Sequence, residues 1–171
     1  MPKKRKIQRR KPSPESIGRL LRKAHRIFNK ALEARIAVEN VTISMWHYLR
    51  ELWEEDGIDQ RELSRRTGML ETSVVSSIAL LEKRGLVWRE QDSKDRRRNI
   101  VFLTKRGRSL QYLLEPLARE INQITLEGIA KSDEKILRRL LKQITSNLER
   151  RSESDRNHVF DLTHFSSPRI Q

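Results

Sequence analysis

The sequence predicts a mainly α-helical fold that carries one small β-hairpin. Three observations predict it. Apolar residues recur at helical spacing through most of the chain. Two β-prone runs, 86–90 and 99–103, flank a charged loop. Capping residues and glycines stand where the helical patterns start and stop. At 171 residues the chain is one domain, or a small domain with a helical extension.

The elements follow in order. Residues 1–12 hold Lys3, Lys4, Arg5, Lys6, Arg9, Arg10 and Lys11 with no apolar period, which predicts a flexible, solvated or DNA-brushing arm extending to residue 18. Ser13-Pro14 offers an N-cap and a first-turn proline. Leu20, Leu21, Ala24, Ile27, Phe28, Ala31 and Leu32 then make one face of a first helix. Thr42 caps a second, with Met45, Trp46, Leu49, Leu52 and Trp53 inward and Gly57 as its stop. Asp59 caps a third over Gln60–Arg66, with Glu62 placed for a capping box and Thr67-Gly68 as its end.

A fourth helix spans about Leu70 to Arg84, with Leu70, Val74, Ile78 and Leu81 on its inner face and Gly85 as its stop. The hairpin comes next. Thr104 caps a long fifth helix carrying Leu110, Leu113, Leu114, Leu117, Ile121 and Ile124, with a kink expected at Pro116 and an end at Gly128. Ser132 caps a sixth with Ile136, Leu137, Leu140, Leu141, Ile144 and Leu148. Periodicity fades after 150, which predicts a flexible tail over 151–171.

Charge and composition narrow the function. Lys and Arg number 37 against 23 Asp and Glu, a net charge of +14. A field of that sign favours polyanions, nucleic acid first and an anionic membrane second. No apolar stretch approaches the ~20 residues of a membrane span, and no helix sets aromatic anchors against a polycationic face, so no membrane partner is expected. The basic N-terminus is followed by no apolar segment, unlike a secretory signal. The chain has no cysteine. That excludes disulfides, cysteine zinc sites and thiol sensing, and it suits a reducing, cytoplasmic setting. The four histidines show no metal-ligand spacing. With no nucleophile–base pair and no phosphate-binding glycine loop, no catalytic residue, metal or cofactor is expected, and the chain is not read as an enzyme.

Helix, helix, helix with a glycine turn, then hairpin is the order of a winged helix-turn-helix. Such a lobe holds one helix rigidly enough to enter a major groove about 12 Å wide. The recognition helix here is 70–84, and Thr72, Ser73, Ser76 and Ser77 are its candidate DNA contacts, with Val75 and Ala79 on the same outer surface. The wing loop supplies Lys94, Arg96, Arg97 and Arg98. Arginines at a protruding tip suit the narrow, negative minor groove. Asp95 stands two residues before Arg97, so the two can pair and brace the wing while Arg96 or Arg98 points outward.

The run IDQRELSRRTGMLETSVVSSIALLEKRGLVWREQDSKDRRRNIVFLTKRGRSL resembles the core of the MarR family of transcriptional regulators. Its telling pieces are Leu81-Glu82-Lys83-Arg84-Gly85-Leu86-Val87, the Asp95-Arg96-Arg97 wing, and Leu103-Thr104 followed by Gly107. In helix order the resemblance covers 19–149. It implies a homodimer whose first and last two helices interlock, so that two winged lobes straddle a pseudo-palindromic site on double-stranded DNA. The chain then divides into a dimerisation region (19–40 and 104–150) and a DNA-binding lobe (41–103). The apolar stripe of the fifth helix also favours a second copy, because a small winged lobe lacks the surface to cover it. The recognition helix departs from the family. Leu70 stands where the family commonly has Ser or Asp, Ser76 stands where it often has Arg, and no Lys or Arg occurs from 70 to 82.

The resemblance further implies a small aromatic or acyl ligand, often an aromatic acid or a thioester, bound between dimer base and lobe. Arg22, His25, Arg26, Phe28, Met45, Trp46, Leu49 and Tyr112 are the candidate lining. The reading is therefore a dimeric, sequence-specific repressor released by such a ligand. The alternative is a non-specific or architectural nucleic-acid-binding protein, favoured by the high charge and the arginine-poor recognition helix.

Overall fold

Ser16 starts the first helix. Its backbone is extended and its hydroxyl accepts from the Arg19 amide at 3.3 Å, so α1 spans Ile17–Ile36. The cap expected at Ser13-Pro14 thus falls on Ser16, where a side-chain oxygen meets the first-turn amides. The computed structural model describes residues 15–163, with side chains to 151. Ser13, Pro14 and the basic arm of residues 1–12 lie outside the described residues.

Thr42 caps α2, Ile43–Glu54, through the Met45 amide, as its sequence position predicts. Gly57 does not stop this helix. Glu55 is its cap, and Gly57 lies beyond it, donating to the Val101 carbonyl at 3.1 Å. A two-residue strand follows, β1, Ile58–Asp59, then α3, Gln60–Thr67, closed by Gly68 in the left-handed region at φ 67°. A residue with a Cβ is strained there. α4 covers Glu71–Lys83. Leu70 is its cap residue rather than part of its inner face, and it is 75% exposed. Val74, Ile78 and Leu81 are fully buried, as the spacing predicts.

The hairpin is β2, Val87–Gln91, and β3, Asn99–Leu103, in the register Val87 to Leu103 and Gln91 to Asn99. β1 adds to the far side of β3, giving an antiparallel sheet of order β1-β3-β2. Val101 and Leu103 alternate into the core. On the other face Trp88 stacks on its cross-strand partner Phe102 at 4.6 Å.

Thr104 joins the sheet to α5, Lys105–Thr125. Its hydroxyl accepts from the Gly107 amide at 3.0 Å and donates to the Gly85 carbonyl at 2.7 Å. Gly107 is required by close approach: a Cβ there would lie 2.0 Å from the Leu86 carbonyl oxygen. The Trp53 indole donates to the Gly107 carbonyl at 2.9 Å, tying α2 to the same joint. α5 continues through Pro116 as one helix and packs along α1, with Arg35 and Glu120 paired at 2.8 Å. Leu110, Leu114 and Ile121 are buried, whereas Leu113 and Ile124 of the same predicted stripe are exposed.

The chain divides into two units at Thr125–Leu126. The first holds the core just described, with Tyr48, Leu49, Leu52 and Leu63 at its centre. The second is the turn at Gly128 and α6, Lys131–Thr163. α6 starts one residue before Ser132: the Glu134 amide bonds to the Ala130 carbonyl, so Ala130 holds the cap position. The helix also runs past 151 to Thr163, where fading periodicity predicts a flexible tail. Ile136, Leu137, Leu140, Leu141 and Leu148 lie exposed along α6.

Candidate nucleic-acid interface

The interface is assembled from α3, α4 and the wing. Asp59 does two jobs. One carboxylate oxygen accepts from the Glu62 amide at 2.8 Å and so caps α3. The other receives the Arg98 guanidinium, whose Nε lies at 3.1 Å and whose terminal nitrogen is closer still. Burial pushes the Asp59 carboxyl up, but the Glu62 amide and Arg98 outweigh it and hold the group below the ordinary carboxylate range. Glu62 completes no capping box. Its carboxylate instead takes Arg65 at 2.6 Å and Arg66 at 2.8 Å, which hold it at about 2.

The wing loop is closed by its own acids. Asp92 accepts from the amides of Lys94 at 2.7 Å and Asp95 at 3.3 Å, which hold its carboxyl low. Asp95 accepts from both the backbone amide and the Nε of Arg97, at 3.1 and 3.2 Å. The Gln91 side-chain amide donates to the Arg96 carbonyl at 2.5 Å, and the Asp92 amide to the Arg98 carbonyl at 3.0 Å. This lattice leaves the Arg97 side chain 92% exposed, with Lys94 and Arg96 exposed beside it and in no ion pair among the described residues. Arg98 behaves differently. It ties the wing to the head of α3 through Asp59 and lies 3.8 Å from Asp92, so it braces the wing instead of standing free at its tip.

On α4, Thr72, Ser73 and Ser76 are exposed. Ser77 is half-buried, beside Tyr48, and so is less open to the outer surface than its neighbours. A cleft of about 550 Å³ lies between α3, α4 and the wing, lined by Gln60, Arg61, Val75, Arg97 and Asn99 among others. Gln60 Nε2 is buried there without a hydrogen-bond partner among the described residues. Sequence reading missed the brace because Asp59 and Arg98 lie 39 residues apart and only the fold brings them together.

The residues expected to line a ligand site fall in three settings in the single chain. Met45 and Leu49 are fully buried in the core, and Phe28 packs against that core. Tyr112 is 81% exposed, and Arg22, His25 and Arg26 are exposed along α1. Of that set Trp46 lines a cavity. The cavity, about 200 Å³, sits between α2 and α5 and is walled by Trp46, Arg50, Trp53, Gln111, Arg119 and Asn122 with neighbouring residues. Trp46 and Trp53 meet there edge to face at 5.6 Å.

Known proteins resemble this chain in sequence and in fold. The family model described as MarR family matches residues 41–98, which are α2 to the wing. A crystal structure of a probable transcriptional regulator from Pseudomonas aeruginosa is 31% identical, with a TM-score of 0.69, and covers 76% of this chain and 97% of that one. The chain belongs to the MarR family. MarR regulators bind DNA, form dimers and bind small ligands, and they are not enzymes. BpsR of Bordetella bronchiseptica, solved to explain regulation of its DNA binding by 6-hydroxynicotinic acid, is 26% identical with a TM-score of 0.72, covering 77% of this chain and 99% of BpsR. NicR of Pseudomonas putida, a transcriptional repressor, is 26% identical over 135 residues, 79% of this chain and 85% of NicR. Among the described residues no helix is long and apolar enough to cross a membrane.

Proposed function

We propose that this MarR-family regulator is a homodimeric repressor that holds a pseudo-palindromic DNA site and lets go when a small aromatic acid binds. The observation that carries the DNA reading is the wing: Arg98 is spent on Asp59, so Arg96, Arg97 and Lys94 are presented on a loop of fixed shape. Preorganised cations lose less entropy on meeting phosphate than cations on a free loop. Thr72, Ser73 and Ser76 are the α4 contacts on this reading. The dimer reading rests on apolar side chains exposed in each unit, Leu20, Ile27 and Leu113 in the first and Leu137, Leu140 and Leu141 in the second. A second copy covers such rows, and a two-fold dimer presents two recognition helices about 34 Å apart, one DNA turn.

For the ligand, the site proposed is the cavity between α2 and α5, which shares Trp46 with the lining read from sequence. It offers indole faces for a ring and two arginines for a carboxylate. Arg50 is engaged by Glu54 at 3.1 Å and Arg119 by Glu115 at 4.0 Å, exposed pairs that a ligand anion can displace at small cost. The relatives BpsR and NicR support this reading, the first through its named ligand and the second as a repressor.

The test is a gel-shift competition with the duplex upstream of the protein's own gene, alongside light scattering. A dimer that prefers that duplex over random DNA by about 10³ or more is expected, with release by an aromatic acid from a panel that includes 6-hydroxynicotinic acid. A monomer overturns the dimeric reading. Equal competition by random duplex establishes the architectural alternative, which the lack of Lys and Arg from 70 to 82 favours.

A further inference from the structure

The outward face of α4 has a chemistry of its own. Thr72, Val75, Ser76 and Ala79 follow one another at i, i+3, i+4 and i+7, and all are exposed. Val75 is 48% exposed, and Leu70 extends the apolar surface at the cap. The side chains that read guanine or adenine by paired hydrogen bonds are Arg, Lys, Asn and Gln. None occurs from Leu70 to Glu82. The Ser76 hydroxyl donates its proton to the Ser73 carbonyl at 3.0 Å. The acids at the two ends are also engaged: Glu71 lies 3.8 Å from Arg61, and Glu82 lies 2.5 Å from Arg89. What faces outward is a row of methyl groups from Thr72, Val75 and Ala79, beside the small hydroxyls of Thr72 and Ser73. The one apolar feature in the major groove of unmodified DNA is the thymine C5-methyl.

We propose that α4 reads its DNA through thymine methyls, with Thr72, Val75 and Ala79 packed against the C5-methyl groups of A·T pairs in each half-site. The inference rests on the DNA-binding reading above and names the sequence class of its site. It assigns sequence discrimination to apolar contact on α4 and leaves phosphate attraction to the wing. The helix therefore discriminates thymine from cytosine by the methyl, and guanine carries no reward in the contacted positions. Burying one methyl is worth about fourfold in affinity, so a few per half-site suffice for a preference over random DNA.

The experiment starts from duplexes selected by the full-length protein from a random pool at physiological salt. Their thymines are then replaced by uracil, which removes the methyl and keeps every hydrogen-bonding group. Affinity is expected to fall by about tenfold or more. Val75→Ala, at an exposed position, is expected to lose about fourfold on the thymine duplex and nothing on the uracil duplex, because the methyls it touched are gone. Equal affinity for the two duplexes overturns the proposal, as does a Val75→Ala loss of the same size on both. A pool that yields no preferred duplex sinks the sequence-specific reading as well. A preferred duplex indifferent to uracil sinks only the methyl assignment.

Discussion

Arg98 and Arg97 are neighbours of the same type with opposite employment. Arg97 stands 92% exposed, held at its base by Asp95, while Arg98 is folded back onto Asp59. The difference is testable by sign. Asp59→Asn keeps a side chain that caps helices well and removes one negative charge from the interface. If Arg98 were a direct phosphate contact, that change would free it and tighten binding. Because Arg98 braces the wing, Asp59→Asn is expected to weaken DNA binding several-fold, and Arg98→Ala to weaken it by a similar factor. The Arg98 end of the pair is half exposed and the Asn keeps the α3 cap, so unfolding in urea is expected to move little. Gel-shift titrations of the two variants and of Arg97→Ala decide the matter: tighter binding by Asp59→Asn refutes the brace.

The elements that carry the site depend on carboxylates in a consistent direction. Asp59 and Asp92 are held low by amides and by Arg98, and Glu62 is held at about 2 by Arg65 and Arg66. A carboxyl whose folded value is depressed adds stability that is present above its unfolded value, about 4, and is lost as pH falls through the folded value. From about pH 8 to 5 these groups contribute a constant amount. Below that the head of α3 and the wing are expected to loosen together, and Glu62→Gln to flatten the acid limb of a melting-temperature profile. An acid limb unchanged in that variant removes Glu62 from the account.

Much of this region was legible because its signals are local. Thr42, Asp59 and Gly68 cap where their chemistry says they should, and Val74, Ile78 and Leu81 are buried at helical spacing. What escaped was non-local. β1 is two residues long and exists only because β3 pairs with it. Leu70 reads as an inner-face residue by period but stands at a cap. Helical spacing identified the faces of α1 and α2 but not which residues border empty space. Hence Met45 and Leu49 proved to be core, and Arg50, Trp53 and Arg119 were overlooked around the cavity.

At the scale of the whole molecule the governing quantity is charge. The net value is +14, and residues 1–12 carry seven basic residues and no acid, half of the total. Each phosphate neutralised releases counterions, so the slope of log affinity against log salt is about −0.9 per phosphate. The wing cations act at fixed positions, whereas the arm adds charge without requiring a fixed geometry. Deleting residues 1–12 is therefore expected to make the salt slope shallower by about 0.9 for each phosphate that the arm neutralises. Random and preferred duplexes should be weakened by the same factor, since attraction to phosphate is blind to sequence. The melting temperature should not move if the core described from α1 onward is the whole of the cooperative unit, as the lack of apolar periodicity in the arm predicts. Measuring affinity for both duplexes at several salt concentrations separates the outcomes. An unchanged slope means the arm does not touch DNA, and a weakening confined to the preferred duplex means it reads bases.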